Sequence, residues 1–181
     1  MIEESDIKLL KKAQKGDNEA FEKLFHKYYE KAVKVSDRIL NNHSSAEDIV
    51  MDSFLDMYKL DIGKDIVFGS YFMRVVVNNS LNEFKKNKRF VGEYNDDIAT
   101  DFEPDPFYTV SKKEFAENIN TYLNTLPVNQ KTAFVLVKEM GYSYKEVASI
   151  MNTTEKSVEA LLWRARKKLQ AYLKDTDGDN I

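Results

Sequence analysis

The stretch from Ser143 to Leu169, SYKEVASIMNTTEKSVEALLWRARKKL, leaves the chain few folds to choose from. Ser143 stands where a helix N-cap belongs, and Glu146 three residues on completes a capping box. Val147, Ala148 and Met151 follow as an apolar stripe. Asn152, Thr153 and Thr154 interrupt it, and a threonine hydroxyl suits the N-cap of a second helix. In that helix Val158, Leu161, Leu162 and Ala165 return at helical spacing. Two amphipathic helices joined by about three residues predict a helix-turn-helix. Its second helix presents Glu155, Lys156, Glu159 and Ala160 outward and ends in Arg164, Arg166, Lys167 and Lys168. A basic run complements the dipole at a helix C-terminus. It also suits a phosphate backbone, and the motif alone leaves both readings open.

The rest of the chain narrows the choice. There is no cysteine, which excludes disulfides and thiolate metal sites and fits a reducing compartment. The opening MIEESD is acidic and polar, unlike a secretory signal. No apolar run approaches the ~18 residues of a membrane span. Three prolines and six glycines in 181 residues, with abundant Lys, Glu, Leu and Ala, predict a mostly helical protein. A net charge of −3 is unpromising for a nucleic-acid binder, but the charge is segregated. Between Tyr71 and Arg89, Arg74, Lys85, Lys86, Lys88 and Arg89 oppose Glu83 alone. Between Gly92 and Asp105 stand Glu93, Asp96, Asp97, Asp101, Glu103 and Asp105 with no basic residue. From Gln130 to Lys174, nine basic residues oppose four glutamates. Local charge sets the field that a phosphate backbone meets.

Taken in order, Ser5 to Lys15 reads as a short helix stopped by Gly16, with Asp17 capping the next. In that next helix Ala20, Phe21, Leu24, Phe25, Tyr28, Ala32, Val35 and Ile39 form a core-facing stripe. Asn41 to Ser45 is a turn; Ser44 is the expected cap of a third helix, with Glu47 in capping-box position. On that helix Asp48, Asp52 and Leu55 share the face away from the core. Glu47 and Asp48 in a first turn are favoured by the dipole without any partner; the other reading is an acidic face offered to a basic partner. After a loop from Leu60 to Gly69, Ser70 is the expected cap of a fourth helix running to about Lys86, with Phe72, Val75, Val76, Asn79 and Glu83 inward.

The other stripe of this fourth helix is Tyr71, Arg74, Asn78, Asn82 and Lys85. Asparagine is a mediocre helix former. Carboxamides read base edges, aromatics stack on unpaired bases and cations hold phosphates, so the face suits nucleic acid as well as solvent. Phe90 to Val110, with Pro104, Pro106 and the acidic run, reads as a linker. Helical spacing resumes at Phe115, Ile119, Tyr122 and Leu123, breaks at Leu126-Pro127, and resumes from Lys131 to Met140 before Gly141. The tail after Lys174 is polar and expected to fray.

Four stretches, in order, resemble bacterial RNA polymerase sigma factors of the extracytoplasmic-function (ECF) type. Ala13 to Leu24 carries A-x-x-G-D-x-x-A-F-E-x-L. AEDIVMDSFL, Ala46 to Leu55, is similar to the family's A-E-D-[LI]-V-Q-[ED]-x-F-L helix. FGSYFMRVVVNNSLNEFKKNKR, Phe68 to Arg89, is similar to its F-x-x-W-L-x-x-I-A-x-N-x-x-x-[DN]-x-x-[RK] helix. The stretch from Leu123 to Leu169 is similar to its second domain. Any one motif is weak; together they cover the chain except the acidic linker. The resemblance implies that Glu47, Asp48, Asp52 and Leu55 contact the clamp of the polymerase's largest subunit. It implies that Tyr71, Arg74, Asn78, Asn82 and Lys85 open and read the minus-ten promoter element, with Asp61 to Gly69 receiving a flipped base. It implies that Thr154, Glu155, Lys156, Ser157, Glu159, Ala160, Arg164 and Lys168 bind the minus-thirty-five element as duplex. Tyr71 replaces the usual tryptophan, Val75-Val76 an isoleucine-alanine pair, and Met51 a common glutamine. Glu159 stands where the family is often basic, so a shifted promoter sequence is expected, glutamate being able to accept from cytosine N4.

The expected fold is all-α: two small helical domains joined by an acidic linker, the second containing the helix-turn-helix. The expected boundaries are 1–89 for the first domain, 90–110 for the linker, 111–174 for the second domain and 175–181 for a polar tail. The expected function is a cytoplasmic, non-catalytic sigma factor without metal or cofactor. Its expected partners are core RNA polymerase (clamp and flap), promoter DNA and an anti-sigma factor, with no membrane insertion. The alternative is a stand-alone helix-turn-helix regulator. A carboxylate-metal hydrolase built on Glu47, Asp48 and Asp52 has little support, because His26 and His43 stand alone and no H-E-x-x-H or phosphate-binding glycine loop occurs.

Overall fold

A computed structural model describes residues 5–60, 66–91, 119 and 121–178. Among these there is no strand. The first unit comprises α1 (Asp6–Ala13), α2 (Asn18–Leu40), α3 (His43–Lys59) and α4 (Phe68–Val91). A helical turn at 121–125 opens the second, followed by α5 (Val128–Phe134), which continues as a π-helical turn, Val135–Glu139. The helix-turn-helix is α6 (Tyr144–Ile150) and α7 (Glu155–Gly178). The linker from 92, and the part of the predicted helix around Phe115, lie outside the described residues, as do 61–65 of the loop expected to receive a flipped base.

Local chemistry sets the helix ends. Gly16 takes φ +92°, which L side chains rarely adopt, and Asp17 then caps α2 by accepting from the Ala20 N–H at 3.1 Å. Asn41 ends α2 in the left-handed region at φ 53°. The chain turns so tightly there that α3 starts before Ser44. Asn42 is its cap, accepting from the Ser45 N–H at 3.1 Å, and the expected Ser44–Glu47 capping box does not form. The expected Ser70 cap also fails, because α4 already begins at Phe68 and Ser70 lies inside its first turn.

The buried residues of both units form one continuous core, and the first unit's part of it is aromatic. Phe54 and Phe72 lie 4.3 Å apart between ring centres, and Phe68 stacks on Phe72 at 5.9 Å. Tyr28 packs on both Phe68 and Phe72 and donates its hydroxyl to Asp6. A Cβ at Gly69 would meet the Tyr28 hydroxyl at 2.8 Å, so a larger residue there has to displace the end of the Tyr28 side chain. Deeper, the buried Ser36 and Ser80 hydroxyls bond at 2.8 Å, and Ser80 also donates to the Val76 carbonyl. The predicted inner stripe of α4 proves too narrow. Met73, Val77 and Ser80 are buried as well as Phe72 and Val76, because α4 packs on α2, α3 and α6.

The second unit contributes Tyr122, Leu123, Phe134, Val147, Ile150, Val158, Leu162 and Ala165 to the same core. Tyr122 donates its hydroxyl to the Ala165 carbonyl, and burial pushes that phenol well above its ordinary range. The helix-turn-helix forms as read. Ser143 Oγ accepts from the Glu146 N–H at 3.3 Å, Glu146 Oε2 accepts from the Ser143 N–H at 2.8 Å, and Thr154 Oγ1 accepts from the Ser157 N–H at 3.1 Å. The helix runs on through the expected tail to Gly178. The two units also touch: α2 meets α5 and the π turn, and α4 meets α6.

Candidate functional site

Three surfaces hold the residues singled out from sequence. On α3, Asp48, Asp52 and Leu55 are exposed on one face, as predicted. Glu47 leaves that group. It is half-buried toward α2, accepting from the Tyr29 hydroxyl at 3.1 Å with His43 Nε2 at 3.7 Å. Desolvation first, and Glu47 second, raise the Tyr29 phenol. The apolar part of this face is larger than Leu55, the one apolar residue the sequence reading placed there. Met51 is 42% exposed, Leu55 51% and Tyr58 37%, alternating with Asp48, Asp52 and Asp56. The spacing of Met51, Leu55 and Tyr58 at i, i+4 and i+7 is the signal that could have found it.

A groove separates α3 from α4. Asp52, Leu55, Asp56 and Lys59 line one wall and Asn79, Asn82, Glu83 and Lys86 the other. It joins two residues expected to serve different partners, Asp52 and Asn82. Their neighbour Asn79 is structural, donating to Ser53 Oγ at 3.2 Å.

On α4, Tyr71, Arg74, Asn78, Asn82 and Lys85 form one strip, Asn82 exposed and the others half-buried. Among the described residues the carboxamides of Asn78 and Asn82 have no hydrogen-bond partner, so both remain available to a base edge. The N-terminal part of the strip does not face open solvent. Tyr71 and Arg74 line a cleft with Ile66, Val67 and Ser70, closed on its far side by Lys145, Glu146 and Ser149 of α6. Arg74 Nη2 donates to Asn152 Oδ1, in the turn of the helix-turn-helix, at 3.0 Å.

On α7, Glu155, Lys156, Glu159 and Lys168 are exposed, with Ala160 and Arg164 half-buried beside them. Thr154 and Ser157 are drawn into the cap, their hydroxyls 3.0 Å apart. Because α7 continues to Gly178, Arg164 to Lys168 lie well inside the helix. A dipole effect confined to the last turn does not account for that basic run. Lys167 is held over the Trp163 ring, 4.1 Å from its centre. Among the described residues no group of three His, Cys, Asp or Glu side chains is arranged to hold a metal ion. No helix among them is long and apolar enough to cross a membrane.

Comparison with known proteins matches both helical units. Residues 24–90 match the family described as Sigma-70 region 2, and residues 116–169 match Sigma-70, region 4. The chain is 25% identical to the RNA polymerase sigma-H factor of Pseudomonas aeruginosa, covering 96% of each. It is 27% identical to the ECF RNA polymerase sigma factor SigM of Mycobacterium tuberculosis, covering 94% of this chain and 86% of that one. Its fold is that of the sigma factor RpoE of Bartonella quintana, solved in complex with the anti-sigma factor NepR. The TM-score is 0.63 at 21% identity, over 85% of this chain and 96% of that one. A stand-alone helix-turn-helix regulator has no use for the region-2 unit that fills the first half of the chain. The chain therefore belongs to the sigma-70 family, in its extracytoplasmic-function branch, and is an RNA polymerase sigma factor that directs transcription initiation.

Proposed function

We propose a division of labour among the three surfaces. The α3 face, with Asp48, Asp52 and Leu55, docks on the basic clamp of the polymerase's largest subunit, and Met51 and Tyr58 add apolar contact. The strip on α4 holds and reads the melted minus-ten element. The α7 face grips the minus-thirty-five element as duplex while the polymerase flap supports the second domain. The factor supplies no catalysis of its own and acts in the cytoplasm. The unit that ends with α4 at Val91 and the unit that spans 111–174 act separately on DNA, and the acidic linker from 92 to 110 runs between them toward the polymerase's channels.

One observation carries this reading. Asn78 and Asn82 are hydrogen-bond donors and acceptors on a regular helix, at the surface, with no partner among the described residues, in line with Arg74 and Lys85. Structure alone gives no reason to spend two poor helix formers there. An anti-sigma factor is a further partner on this reading, because the exposed apolar residues of α3 need cover when polymerase is absent. The RpoE fold, which this chain shares, was solved with such a partner.

A pull-down with core polymerase tests the reading. The wild type is captured and Asp48→Arg/Asp52→Arg is not. Equal capture of both proteins removes the clamp assignment.

A further inference from the structure

We propose that the cavity between the end of α2 and α5 is a binding site for a small tetrahedral dianion, either free phosphate or the phosphate group of a small metabolite, held by Lys131, Asn124 and Arg38. The site rests on its own geometry and not on the division of labour proposed above.

The observation behind it is a buried charge without a counter-charge. Lys131 lies on α5 beside the buried Thr132, Ala133 and Phe134, and is itself only 3% exposed. A buried ammonium ordinarily has a carboxylate partner. Among the described residues Lys131 makes no ion pair. The carboxylates nearby are placed otherwise. Glu139 accepts from Arg38 Nε at 3.2 Å, with Lys34 Nζ at 3.6 Å. Asp37 acts on Lys131 only through its field. The amine donates instead to two neutral oxygens, Asn41 Oδ1 at 3.2 Å and Asn124 Oδ1 at 3.3 Å. An ammonium has three N–H groups, so one is left over. Asn41 Nδ2 donates to Asn124 Oδ1 at 2.9 Å, and Asn124 Nδ2 has no hydrogen-bond partner among the described residues.

These groups line one cavity of about 320 Å³, walled by Asp37, Arg38, Asn41, Leu123, Asn124 and Lys131. That volume lies at the small end of ligand pockets, with room for a phosphate and a short organic substituent. Its chemistry selects the charge of the ligand. The spare groups are donors, and both asparagine oxygens already serve the amine, so a metal cation finds only Asp37. Lys34, Arg38 and Lys131 outnumber Asp37 and Glu139 by one positive charge. The donors come from separate walls, which suits an oxyanion whose oxygens accept in several directions. Burial, and then the Arg38 charge, lower the Lys131 pKa to about 8. A bound dianion opposes both effects and restores the ammonium.

Thermal unfolding of the full chain tests the site, with sulfate, phosphate or glycerol 3-phosphate titrated against chloride at matched ionic strength. Sulfate comes first, because it stays a dianion throughout the neutral and mildly alkaline range. The wild-type melting temperature should rise and saturate, as expected for a bound ligand. Stabilisation by exclusion of sulfate from the surface does not saturate and is shared by all variants. Lys131→Met, which keeps the aliphatic stem, should bind roughly tenfold more weakly or worse, the weight of one hydrogen bond to a charged group. Asn124→Asp sets a carboxylate beside the amine. It should melt no lower than wild type and still lose binding, which separates loss of the site from loss of the fold. Asp37→Asn removes the opposing charge and should bind more tightly. Above the Lys131 pKa of about 8, wild-type affinity for sulfate should fall by about tenfold per pH unit, because binding then requires the amine to take up a proton. Equal affinity for phosphate and glycerol 3-phosphate supports the site and assigns it to the free ion; tighter binding of the ester supports it and assigns a phosphorylated metabolite. A melting temperature that does not saturate, or that rises equally in wild type, Lys131→Met and Asn124→Asp, overturns the site and leaves the cavity to water.

Discussion

Arg74 of α4 donates a hydrogen bond to the side chain of Asn152, a residue that itself sits at φ 53° in the turn between α6 and α7. The two residues are 78 positions apart in the chain. Asn152 therefore has two separable roles, one of backbone and one of side chain. Asn152→Gly should keep the turn while removing the carboxamide that holds Arg74. Asn152→Val should keep neither, at a cost of roughly 1–2 kcal/mol for a β-branched residue in the left-handed region. Urea unfolding separates the two: a midpoint near wild type for glycine and a clear drop for valine.

Asn78 and Asn79 are adjacent and should behave oppositely. Asn79 donates to Ser53 Oγ, which in turn donates to the Ile49 carbonyl, so it ties α4 to α3. Asn79→Ala should cost about 1 kcal/mol of stability, the usual net value of such a bond. Asn78→Ala should leave unfolding and polymerase capture unchanged but weaken promoter opening. Permanganate reactivity of minus-ten thymines reads the opening directly. Normal reactivity in Asn78→Ala counts against its base-reading role.

Lys131 predicts a pH dependence whose sign is unusual for a lysine with hydrogen-bond partners. Burial, and then Arg38, lower its pKa from 10.5 to about 8, against a smaller opposing pull from Asp37. Below that value the amine is protonated folded and unfolded alike, and the folded chain bears the full desolvation cost. Above it the folded chain has released a proton that the unfolded chain still holds. Stability therefore rises with pH between about 8 and 9.5. The raised phenols of Tyr122 and Tyr142 act in the opposite sense, but only as the pH nears their ordinary 10.0. The urea midpoint of wild type should climb across the window, and that of Lys131→Met should not.

The helix-turn-helix was legible because every determinant lies within a few residues of what it determines: the Ser143–Glu146 box, the Asn152 turn and the Thr154 cap. The start of α3 was misread because Asn42 and Ser44 are both competent caps. The choice between them came from where α2 ended, at Asn41. The burial of Met73 and Val77 was missed because one stripe was sought on a helix that packs on several sides. The Arg38–Glu139 hydrogen bond between the two units had no local trace at all. Arg38 and Glu139 are 101 residues apart, and each looks like an ordinary surface charge on an amphipathic helix. Exposure of the surface residues was easier to read, since they fall outside the apolar stripes. Their internal bonds were not legible: a tyrosine on α2 captures Glu47, Asn152 holds Arg74, and Thr154 and Ser157 are drawn into a cap.

Arg164 decides how the basic run on α7 is used. It is half-buried, with Lys168 exposed one turn further on, and α7 continues well past both. A charge that serves the helix dipole belongs in the last turn, whereas a phosphate contact depends only on which face it occupies. Replacing a phosphate contact releases one fewer counterion, which lowers the slope of log affinity against log salt by about 0.9 on duplex DNA. Arg164→Ala should show that loss in a salt titration with duplex carrying the promoter region, with affinity reduced for every sequence alike. Glu159→Ala should leave the slope close to wild type or raise it slightly, because a carboxylate neutralises no phosphate, while changing which sequences bind, because glutamate accepts from cytosine N4. If the slope is the same in Arg164→Ala as in wild type, Arg164 serves the packing of α7 and not the DNA.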